Sequence, residues 1–352
     1  MKYSGAKSAW AKWKKLLWVR RSLKNKKILS YQLLHSMLPI REIGHMEQDN
    51  QSAFQFHGKW QDFFKIAIVN LLLTIITLGI YRFWATSRER EYLWGQTQFI
   101  DERLEWTGTG KELFLGFVIV AVIFLIPFAL LYTIAGFIGP GFQIILYLIG
   151  LVFAFYFFGL AKYRALRYRL SRTYWHGIRG GSDDKGFGFG FSYMVKTAAG
   201  YIPLGLGNPW STCELWNERW GKMSFGNNVF ESHASYSNVF GTYILSYILF
   251  PFSWVYQARL RRTLIGALRL EKLEFGFTAS TFDWIGLFLV DILIVLATFG
   301  IGIAILPYRH WQFFIEHLEA YGEVDLDALT QSNTERSKHG EGLLDAFDVG
   351  AV

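Results

Sequence analysis

The chain has 352 residues, of which 52% are apolar and 18% aromatic, while charged residues make up only 18%. A soluble domain carries about 25% charged residues, so this composition favours a membrane protein if the apolar residues form long runs. The formal net charge of +8 comes from residues 1–45, with eleven Lys/Arg and one acid; the rest of the chain has 25 basic and 27 acidic residues. This balance argues against a nucleic-acid-binding protein, and the single Cys213 excludes a disulfide framework and a cysteine-based metal site.

Residues 1–53 read as a basic N-terminal extension that lacks the apolar core of a signal peptide. The stretch WAKWKKLLWVRRSLKNKK within it has the composition of a segment that lies on an anionic membrane surface. Two alternatives stay open: a start site placed too far upstream, with Met46 as the true start, or an extension specific to one lineage. The simplest interpretation is an upstream translated segment without a function.

Six apolar stretches follow, and each has about the length that a helix needs to cross a bilayer, ~20 residues. They are residues 63–83, 113–135, 141–160, 187–207, 237–256 and 284–306. The fourth is weak because it is rich in Gly and contains Lys196 and Pro203, so a re-entrant or interfacial segment stays open there. We therefore predict an all-α integral membrane protein with about six transmembrane helices.

Polar connectors separate the apolar stretches, and three of them alternate aromatic and polar residues around a turn signal. They are residues 97–110, 223–235 and 270–281. We expect short β-hairpin-like connectors at the membrane surface. The predicted transmembrane domain covers residues 54–325, and residues 326–352 read as a polar, disordered tail.

Internal similarity runs through the chain. A shift of 221 residues aligns residues 54–88 with 275–309 without a gap, a shift of 126 aligns 78–99 with 204–225, and a shorter match occurs at 50. The repeated unit is an aromatic strand, an acidic entry, an apolar helix and a Thr/Pro-x-Gly break, where glycine permits a kink or close helix packing. The break residues are Thr77, Gly79, Gly205, Thr298 and Gly300.

The run FHGKWQDFFKIAIVNLLLTIITLGIYRFWATSREREYLWGQT resembles the signature of the YjgN-like family of bacterial inner-membrane proteins, a domain of unknown function. The stretches WTGTGKELFLG, LAKYRALRYRL, LGLGNPWSTCELWNERWG and FGIGIAILPYRHW are similar to it as well. The resemblance covers about residues 54–325 and implies a multi-pass protein of the bacterial inner membrane. It implies no activity and supplies no catalytic, cofactor-binding or metal-binding residues.

Lys and Arg are concentrated in the connectors 82–112, 161–186 and 257–281, which the positive-inside rule places in the cytoplasm, with both chain ends outside. With six spans, the first and last copies of the repeat would run in opposite directions. Either the repeat is inverted, or one apolar segment is re-entrant and both copies run the same way. The predicted cytoplasmic-side anchors are Arg88, Arg90, Arg164, Arg167, Arg259 and Arg261.

A candidate polar site inside the membrane consists of Asn70 and Asp291, which occupy the same repeat position, and of Lys196, a natural partner for Asp291. A charge at this depth normally faces water or a partner, which leaves a polar pathway and an interhelical contact as alternatives. The sequence favours passage or sensing of a small solute; a structural or assembly role is the alternative. No catalytic set is visible, so we expect no enzyme, no cofactor and no nucleic-acid partner; the oligomeric state stays open.

Overall fold

The computed structural model describes residues 52–322 and 329–332. The predicted N-terminal extension up to residue 51, including Met46, therefore lies outside the described residues, as does most of the predicted tail. Residues 329–332 contact the rest of the chain: Leu329 is buried, and the backbone N–H of Thr330 donates to Asn227 Oδ1 at 3.0 Å.

Within residues 52–322 the chain forms five helical hairpins, each made of two consecutive helices joined at an apolar tip. The first is α1 (Trp60–Ile76) and α2 (Arg82–Gly95). The second is α3 (Gly110–Val120), a π-helical turn (Ala121–Leu125) and α4 (Ile126–Ile138), followed by α5 (Pro140–Arg172). The third is α6 (Phe187–Tyr201) and α7 (Asn208–Trp220), and the fourth is α8 (Ser237–Ile248) and α9 (Phe252–Ile265). The fifth is α10 (Thr281–Ala297), a 3-10 turn (Ile301–Ile305) and α11 (Leu306–His317).

Eleven short strands in the same residues join the helical hairpins. They are β1 (Phe54–Phe56), β2 (Thr97–Phe99), β3 (Glu102–Arg103), β4 (Glu105–Trp106), β5 (Thr173–Trp175), β6 (Ile178–Gly181), β7 (Ser224–Phe225), β8 (Asn228–Ser232), β9 (Leu268–Leu270), β10 (Leu273–Phe277) and β11 (Leu318–Tyr321). One sheet has the order β1-β2-β3, and the other runs without a crossover from β4 to β11. The three predicted β-connectors do form antiparallel pairs, but the pairs belong to these larger sheets.

All five helical hairpins connect strand ends that lie on the same side of the sheets. Every neighbouring pair of strands is antiparallel, and the connections alternate between a tight turn and a helical hairpin. When antiparallel strands follow one another in this way, successive connections lie at opposite ends of the strands. The tight turns therefore lie at one end of the strands, and the helical hairpins lie at the other end. The turns are at residues 100–101, 176–177, 226–227 and 271–272.

This connectivity decides the direction of the repeat. Helix α1 follows β1 of the three-stranded sheet and α10 follows β10 of the eight-stranded sheet, and both leave their sheets at the strand ends opposite the tight turns. The matched segments consequently run in the same direction, and the inverted arrangement is wrong. The connector 208–235, which has few Lys and Arg, contributes strands to the same sheet as the connectors 161–186 and 257–281.

The tips of three helical hairpins share one backbone geometry. Leu78 and Gly79 have φ of 50° and 92°, Leu204 and Gly205 have 53° and 82°, and Phe299 and Gly300 have 51° and 92°. Two consecutive residues with positive φ end a helix, because the left-handed region cannot continue a right-handed one.

Threonine hydroxyls close two of these tips. Thr77 Oγ1 donates to the Leu73 carbonyl at 2.7 Å and accepts the N–H of Tyr81 at 2.9 Å. Thr298 does the same with Ile294 and Gly302, at 2.6 Å and 2.7 Å.

The predicted all-α fold with six transmembrane helices is wrong. Among the described residues, only Gly110–Ile138 (29 residues) and Pro140–Arg172 (33 residues) form helices long and apolar enough to cross a membrane. The positive-φ tips divide other apolar stretches. Residues 63–83, for example, contain most of α1, the tip and the first two residues of α2. Hydropathy adds up along the sequence and does not register a reversal of the chain, so one tip and two short helices read as one span.

The first and fifth helical hairpins contact each other, although they lie far apart in the sequence. Tyr308 Oη donates to the Gly58 carbonyl at 2.8 Å, and Trp311 Nε1 donates to Thr97 Oγ1 at 2.9 Å. The rings of Trp94 and Trp311 stack with centroids 4.1 Å apart. These contacts join the beginning of the described fold to its end.

The interior of the curled sheets is aromatic and apolar. Phe99, Trp175, Leu273 and Leu329 form its buried cluster, and further aromatic side chains from the strands pack around them. The rings of Phe99 and Trp175 lie 4.8 Å apart, and Trp175 Nε1 donates to the Phe99 carbonyl at 3.0 Å. The strands thus enclose a packed core.

Candidate functional site

Asn70 joins the two helices of the first helical hairpin. It is 1% exposed, on the face of α1 that also buries Phe63 and Ala67. Its Nδ2 donates to the Ala85 carbonyl at 3.3 Å and to Glu89 Oε1 at 3.1 Å, both on α2. The amide that the sequence placed in a polar site therefore bonds to the returning helix.

Asp291 plays the same part in the fifth helical hairpin. It is 8% exposed and is the buried residue of α10. Its carboxylate accepts from Arg309 Nε at 2.8 Å and pairs with His310 Nε2 at 2.7 Å, both on α11. A buried carboxylate that is paired on both oxygens holds the two helices together.

Lys196 does not pair with Asp291, as the sequence suggested. Its Nζ lies 2.9 Å from Glu218 Oε2 and 3.7 Å from Glu214 Oε2, both on α7, the returning helix of its own hairpin. The reason is the chain reversal at the tip, which brings α7 back alongside α6. If residues 187–207 formed a single span, the partner of Lys196 would have to lie in another span.

The three residues occupy one position of the predicted repeat. The shift of 221 aligns Asn70 with Asp291, and the shift of 126 also aligns Asn70 with Lys196, which the sequence analysis overlooked. We call each residue with its partners on the returning helix a polar clamp. The chemistry differs, with an amide and a carboxylate in the first clamp, a lysine and two carboxylates in the second, and a carboxylate with two basic side chains in the third. Contacts of this kind fit the interhelical alternative.

The six predicted arginine anchors lie in three environments. Arg90 and Arg167 are buried, and the Arg90 guanidinium lies 5.2 Å from the centroid of Trp106, so these two cannot contact lipid phosphates. Arg88 and Arg259 are exposed. Arg164 and Arg261 are half-buried, over the rings of Phe187 and Trp284 at 4.9 Å and 4.5 Å.

A cavity of about 470 Å³ lies where the third and fourth helical hairpins meet α5. Lys162 from α5, Arg219 from α7 and Arg261 from α9 line it, together with hydroxyl-bearing side chains such as Tyr193 and Ser211. Among the described residues that line this cavity, none is acidic. We call it the cationic cavity.

Two buried donors in the cationic cavity have no partner among the described residues. Arg219 and Trp216 are 8% and 7% exposed, and Arg219 Nε and Trp216 Nε1 make no hydrogen bond. The Arg219 guanidinium lies 5.3 Å from the Trp216 ring, a contact that engages the charge but leaves the Nε–H unused. Burial, and to a lesser degree the charge of Arg169, lowers the pKa of Arg219 to about 10, so it remains cationic at neutral pH.

The sequence analysis missed Lys162 and Arg219 and classed Arg261 as a lipid anchor. Each lies in the second half of a helix beside aromatic residues, which is also the pattern of an interfacial anchor. Only their position around one cavity distinguishes them, and residues 162, 219 and 261 are too far apart in the sequence for spacing to reveal it.

The fold and these contacts define a class of protein in which apolar helical hairpins, three of them held together by polar clamps, leave curled antiparallel sheets at one end of their strands. Residues 51–253 and 242–346 match the family described as "Bacterial protein of unknown function (DUF898)". The chain belongs to this family, which agrees with the resemblance noted in the sequence.

Curated relatives carry the name "Inner membrane protein YjgN". The protein of this name from Salmonella typhimurium (strain LT2) is 31% identical over 156 residues, which is 44% of this chain and 35% of that protein. Those from Escherichia coli O157:H7 and Escherichia coli K12 are 36% identical over 84 residues, which is 24% of this chain and 20% of theirs. The matches thus span about a third or less of the length of these relatives. No solved structure matches the chain.

Proposed function

We propose that this protein is embedded in the bacterial inner membrane by its helical hairpins, all entering from one side, and that its membrane body binds a small solute. The single observation that carries this proposal is that all five helical hairpins leave the two sheets at the strand ends opposite the tight turns. The names of the relatives agree with the location. The proposal assigns no enzymatic activity and no cofactor.

The exposed apolar surface supports the placement. At the tips, Leu78 is 94% exposed, Phe299 97% and Phe250 80%. Side chains of this kind would be covered by hydrocarbon rather than water. The tips 77–81, 202–207, 249–251 and 298–305 contain no charged residue.

Helix lengths suggest two depths of insertion. The 29- and 33-residue helices of the second hairpin would extend ~44 Å and ~50 Å at 1.5 Å per residue, more than the ~30 Å hydrocarbon core. Helices α1 and α10, with 17 residues each, would extend ~25 Å and then return. We propose that the second hairpin crosses the bilayer and that the shorter ones are re-entrant.

The distribution of arginine residues indicates on which side of the membrane the sheets lie. Arg169 and Arg172 on α5, Arg219 on α7 and Arg262 on α9 lie in the last turns of their helices, next to the sheets, and the positive-inside rule favours the cytoplasm for such a surface. We therefore propose that the sheets, with both ends of the region 52–322, lie on the cytoplasmic face.

Binding or sensing fits this architecture better than passage. The buried cluster of Phe99, Trp175, Leu273 and Leu329 lies inside the curled sheets, where a small cavity of about 110 Å³ is lined mainly by aromatic and apolar side chains. A packed aromatic interior opposes a water-filled path along the sheet axis, while the cationic cavity offers a binding site between helical hairpins.

Cysteine labelling from each side of the membrane tests the placement. Single cysteines are introduced at the tight turns (Ile100, His176, Glu271), at two tips (Leu78, Phe299) and at Gly139 between α4 and α5. The native Cys213 is 1% exposed, so it provides a silent background.

We expect all three turn cysteines to react with a charged maleimide only from the cytoplasmic side, Gly139→Cys only from the opposite side, and the two tip cysteines from neither. Turn cysteines that react from opposite sides of the membrane would reject the one-sided arrangement.

A structural or assembly role remains the second candidate, because the polar clamps place Asn70, Lys196 and Asp291 in helix–helix contacts. A deletion strain complemented with Asp291→Asn separates the two. A structural role predicts a reduced amount of this variant in the membrane fraction; solute binding in the cationic cavity predicts instead that Arg261→Gln is present in a normal amount but fails to restore growth.

A further inference from the structure

The cationic cavity has the composition of an anion site rather than of a structural void. Three basic side chains, Lys162, Arg219 and Arg261, converge on it from three different helices. The nearby acids of α7, Glu214 and Glu218, pair with Lys196 instead. The positive charge of the lining is therefore not neutralised by the residues that form it.

Contacts with aromatic rings explain only part of this arrangement. Lys162 Nζ lies 5.0 Å and 5.3 Å from the centroids of Phe158 and Tyr193, and the Arg261 guanidinium lies 4.5 Å from Trp284. Such contacts stabilise a cation from the face of a ring, but they leave its N–H groups without an acceptor.

The unpaired atoms identify the chemistry of the missing partner. Arg219 Nε and Trp216 Nε1 are both donors, and both are buried in the cavity lining. A buried donor without an acceptor costs about 1–3 kcal/mol, more when it is charged. An acceptor-rich anion would satisfy both, and a guanidinium suits phosphate oxygens because it can donate two parallel hydrogen bonds.

The cavity has a floor and a mouth. Its floor holds Arg219 and Trp216, whereas Tyr201, at the end of α6, is 61% exposed, and Gln257 is exposed as well. Leu260 and Leu264 add apolar surface to the lining. A ligand with a charged head and a less polar remainder would match this division.

We propose that the cationic cavity binds the phosphate group of an anionic ligand, with Arg219, Lys162 and Arg261 as its binding residues. The inference rests on the proposed solute-binding function and specifies the class of solute. The phosphate belongs either to a water-soluble phosphate ester or to the headgroup of an anionic phospholipid.

The positions of Arg219 and Arg261 along their helices are compatible with a phosphate from either a soluble ester or a lipid headgroup. Arg219 is one residue from the end of α7, and Arg261 is four residues, or ~6 Å, from the end of α9. The polar headgroup layer of a bilayer is ~5–7 Å thick on each side. If the sheets lie at the membrane surface, these guanidinium groups stand at the level of lipid phosphates.

Binding to the purified full chain in a neutral detergent tests the proposal. Isothermal titration uses three probes: glycerol phosphate, dihexanoyl phosphatidylglycerol, and dihexanoyl phosphatidylcholine as a zwitterionic control. We expect saturable binding of at least one of the two anionic probes, and binding of the choline lipid that is at least about tenfold weaker. Binding of both anionic probes indicates a soluble phosphate ester, and binding of the anionic lipid alone indicates a lipid headgroup.

Charge-neutralising variants localise the binding. Lys162→Gln, Arg219→Gln and Arg261→Gln should each raise the Kd about tenfold or more, because each removes a charge-assisted contact. Arg259→Gln is the matched control, since Arg259 lies on α9 with Arg261 but is exposed and outside the cavity. Lys162 and Arg261 are only half-buried, so their variants keep the test valid if Arg219→Gln fails to fold.

Two results would overturn the proposal: no binding of either anionic probe, or binding that the cavity variants and Arg259→Gln weaken equally. Both are independent of the labelling experiment, since titration in detergent does not depend on which side of a membrane the sheets occupy. A failed topology with intact binding would reject the membrane placement alone.

Discussion

At the scale of single residues, the polar clamps show how one position accommodates opposite charges. A shift of 95 residues aligns Lys196 with Asp291 and Glu214 with Arg309, so the third and fifth helical hairpins have the same pair with reversed signs. The third pair has an Nζ–Oε2 distance of 3.7 Å and the fifth an Nε–Oδ1 distance of 2.8 Å. The attraction between the helices depends on complementarity and not on which helix carries the charge.

A charge swap in the fifth helical hairpin tests this. We expect Asp291→Lys and Arg309→Glu each to destabilise the protein, because each places like charges together, and the double variant to recover part of the loss. The coupling free energy from denaturant unfolding in detergent should be about 1–3 kcal/mol. A double variant whose loss equals the sum of the two single losses would contradict the clamp.

Helix α10 begins with a capping box that makes the fold sensitive to acid. Ser280 accepts the N–H of Asp283 at 3.3 Å, and the Asp283 carboxylate accepts the N–H of Ser280 at 2.7 Å. Hydrogen bonding to Ser280 lowers the pKa of Asp283 below its ordinary value. A carboxyl whose pKa is lower in the folded state stabilises the fold above its unfolded pKa, ~3.9, and loses that contribution as the pH falls through the folded value.

Asp283→Asn should therefore lower the thermal unfolding temperature near pH 6, and the difference should shrink as the pH falls towards the lowered pKa of Asp283. The comparison is a series of unfolding scans of the parent chain and the variant between pH 3 and pH 7. A difference that stays constant over the whole series would show that the ionised carboxylate does not contribute.

At the scale of elements, the tips determine how far each helix extends. Gly79 and Gly300 both have φ of 92°, in a region that side chains rarely adopt. A Cβ at either position would meet no atom within 4 Å, so the requirement for glycine is conformational and not steric. The hydroxyl groups of Thr77 and Thr298, two residues before these glycines, accept backbone N–H groups from beyond the tip and so stabilise the reversal.

Gly300→Ala should thus destabilise the protein by about 1–2 kcal/mol, the cost of a left-handed conformation for a residue with a Cβ. Gly286→Ala is the matched control, because Gly286 lies inside α10, has open space around it and adopts no positive φ. The control should be neutral or stabilising by about 0.5–1 kcal/mol, since alanine favours a helix. Equal losses in both variants would argue against strain at the tip.

At the scale of the whole molecule, contacts between the first and fifth helical hairpins close the fold. Trp311 stacks on Trp94 and donates to Thr97, and Tyr308 donates to a carbonyl 250 residues earlier. Loss of these contacts would separate the fifth helical hairpin from the first.

Trp311→Ala should destabilise the entire fold by about 1–3 kcal/mol, because it removes an aromatic stack and a hydrogen bond. Trp60→Ala is the control, since Trp60 is 52% exposed and should change stability little. Unfolding followed by intrinsic fluorescence and by limited proteolysis should show one cooperative loss. Separate loss of the fifth hairpin alone would contradict closure.

Several features of this protein could be predicted from the residues alone. The apolar content indicated a membrane class, the repeated Leu-Gly and Phe-Gly pairs marked the breaks, and alternating aromatic residues indicated the β-connectors. The run of residues 56–97 was specific enough to indicate the family. All of these depend on composition or on interactions within a few residues, such as the conformational freedom of Gly79.

The tertiary structure alone decided which apolar stretches are helical hairpins, which residues pair in the clamps, and that Lys162, Arg219 and Arg261 share a cavity. Each of these depends on where the chain reverses and on which elements then pack together. A reversal takes only two residues with positive φ, yet it changes the partner of every side chain beyond it. Composition and local spacing are the same before and after such a reversal, so they carry no information about those partners.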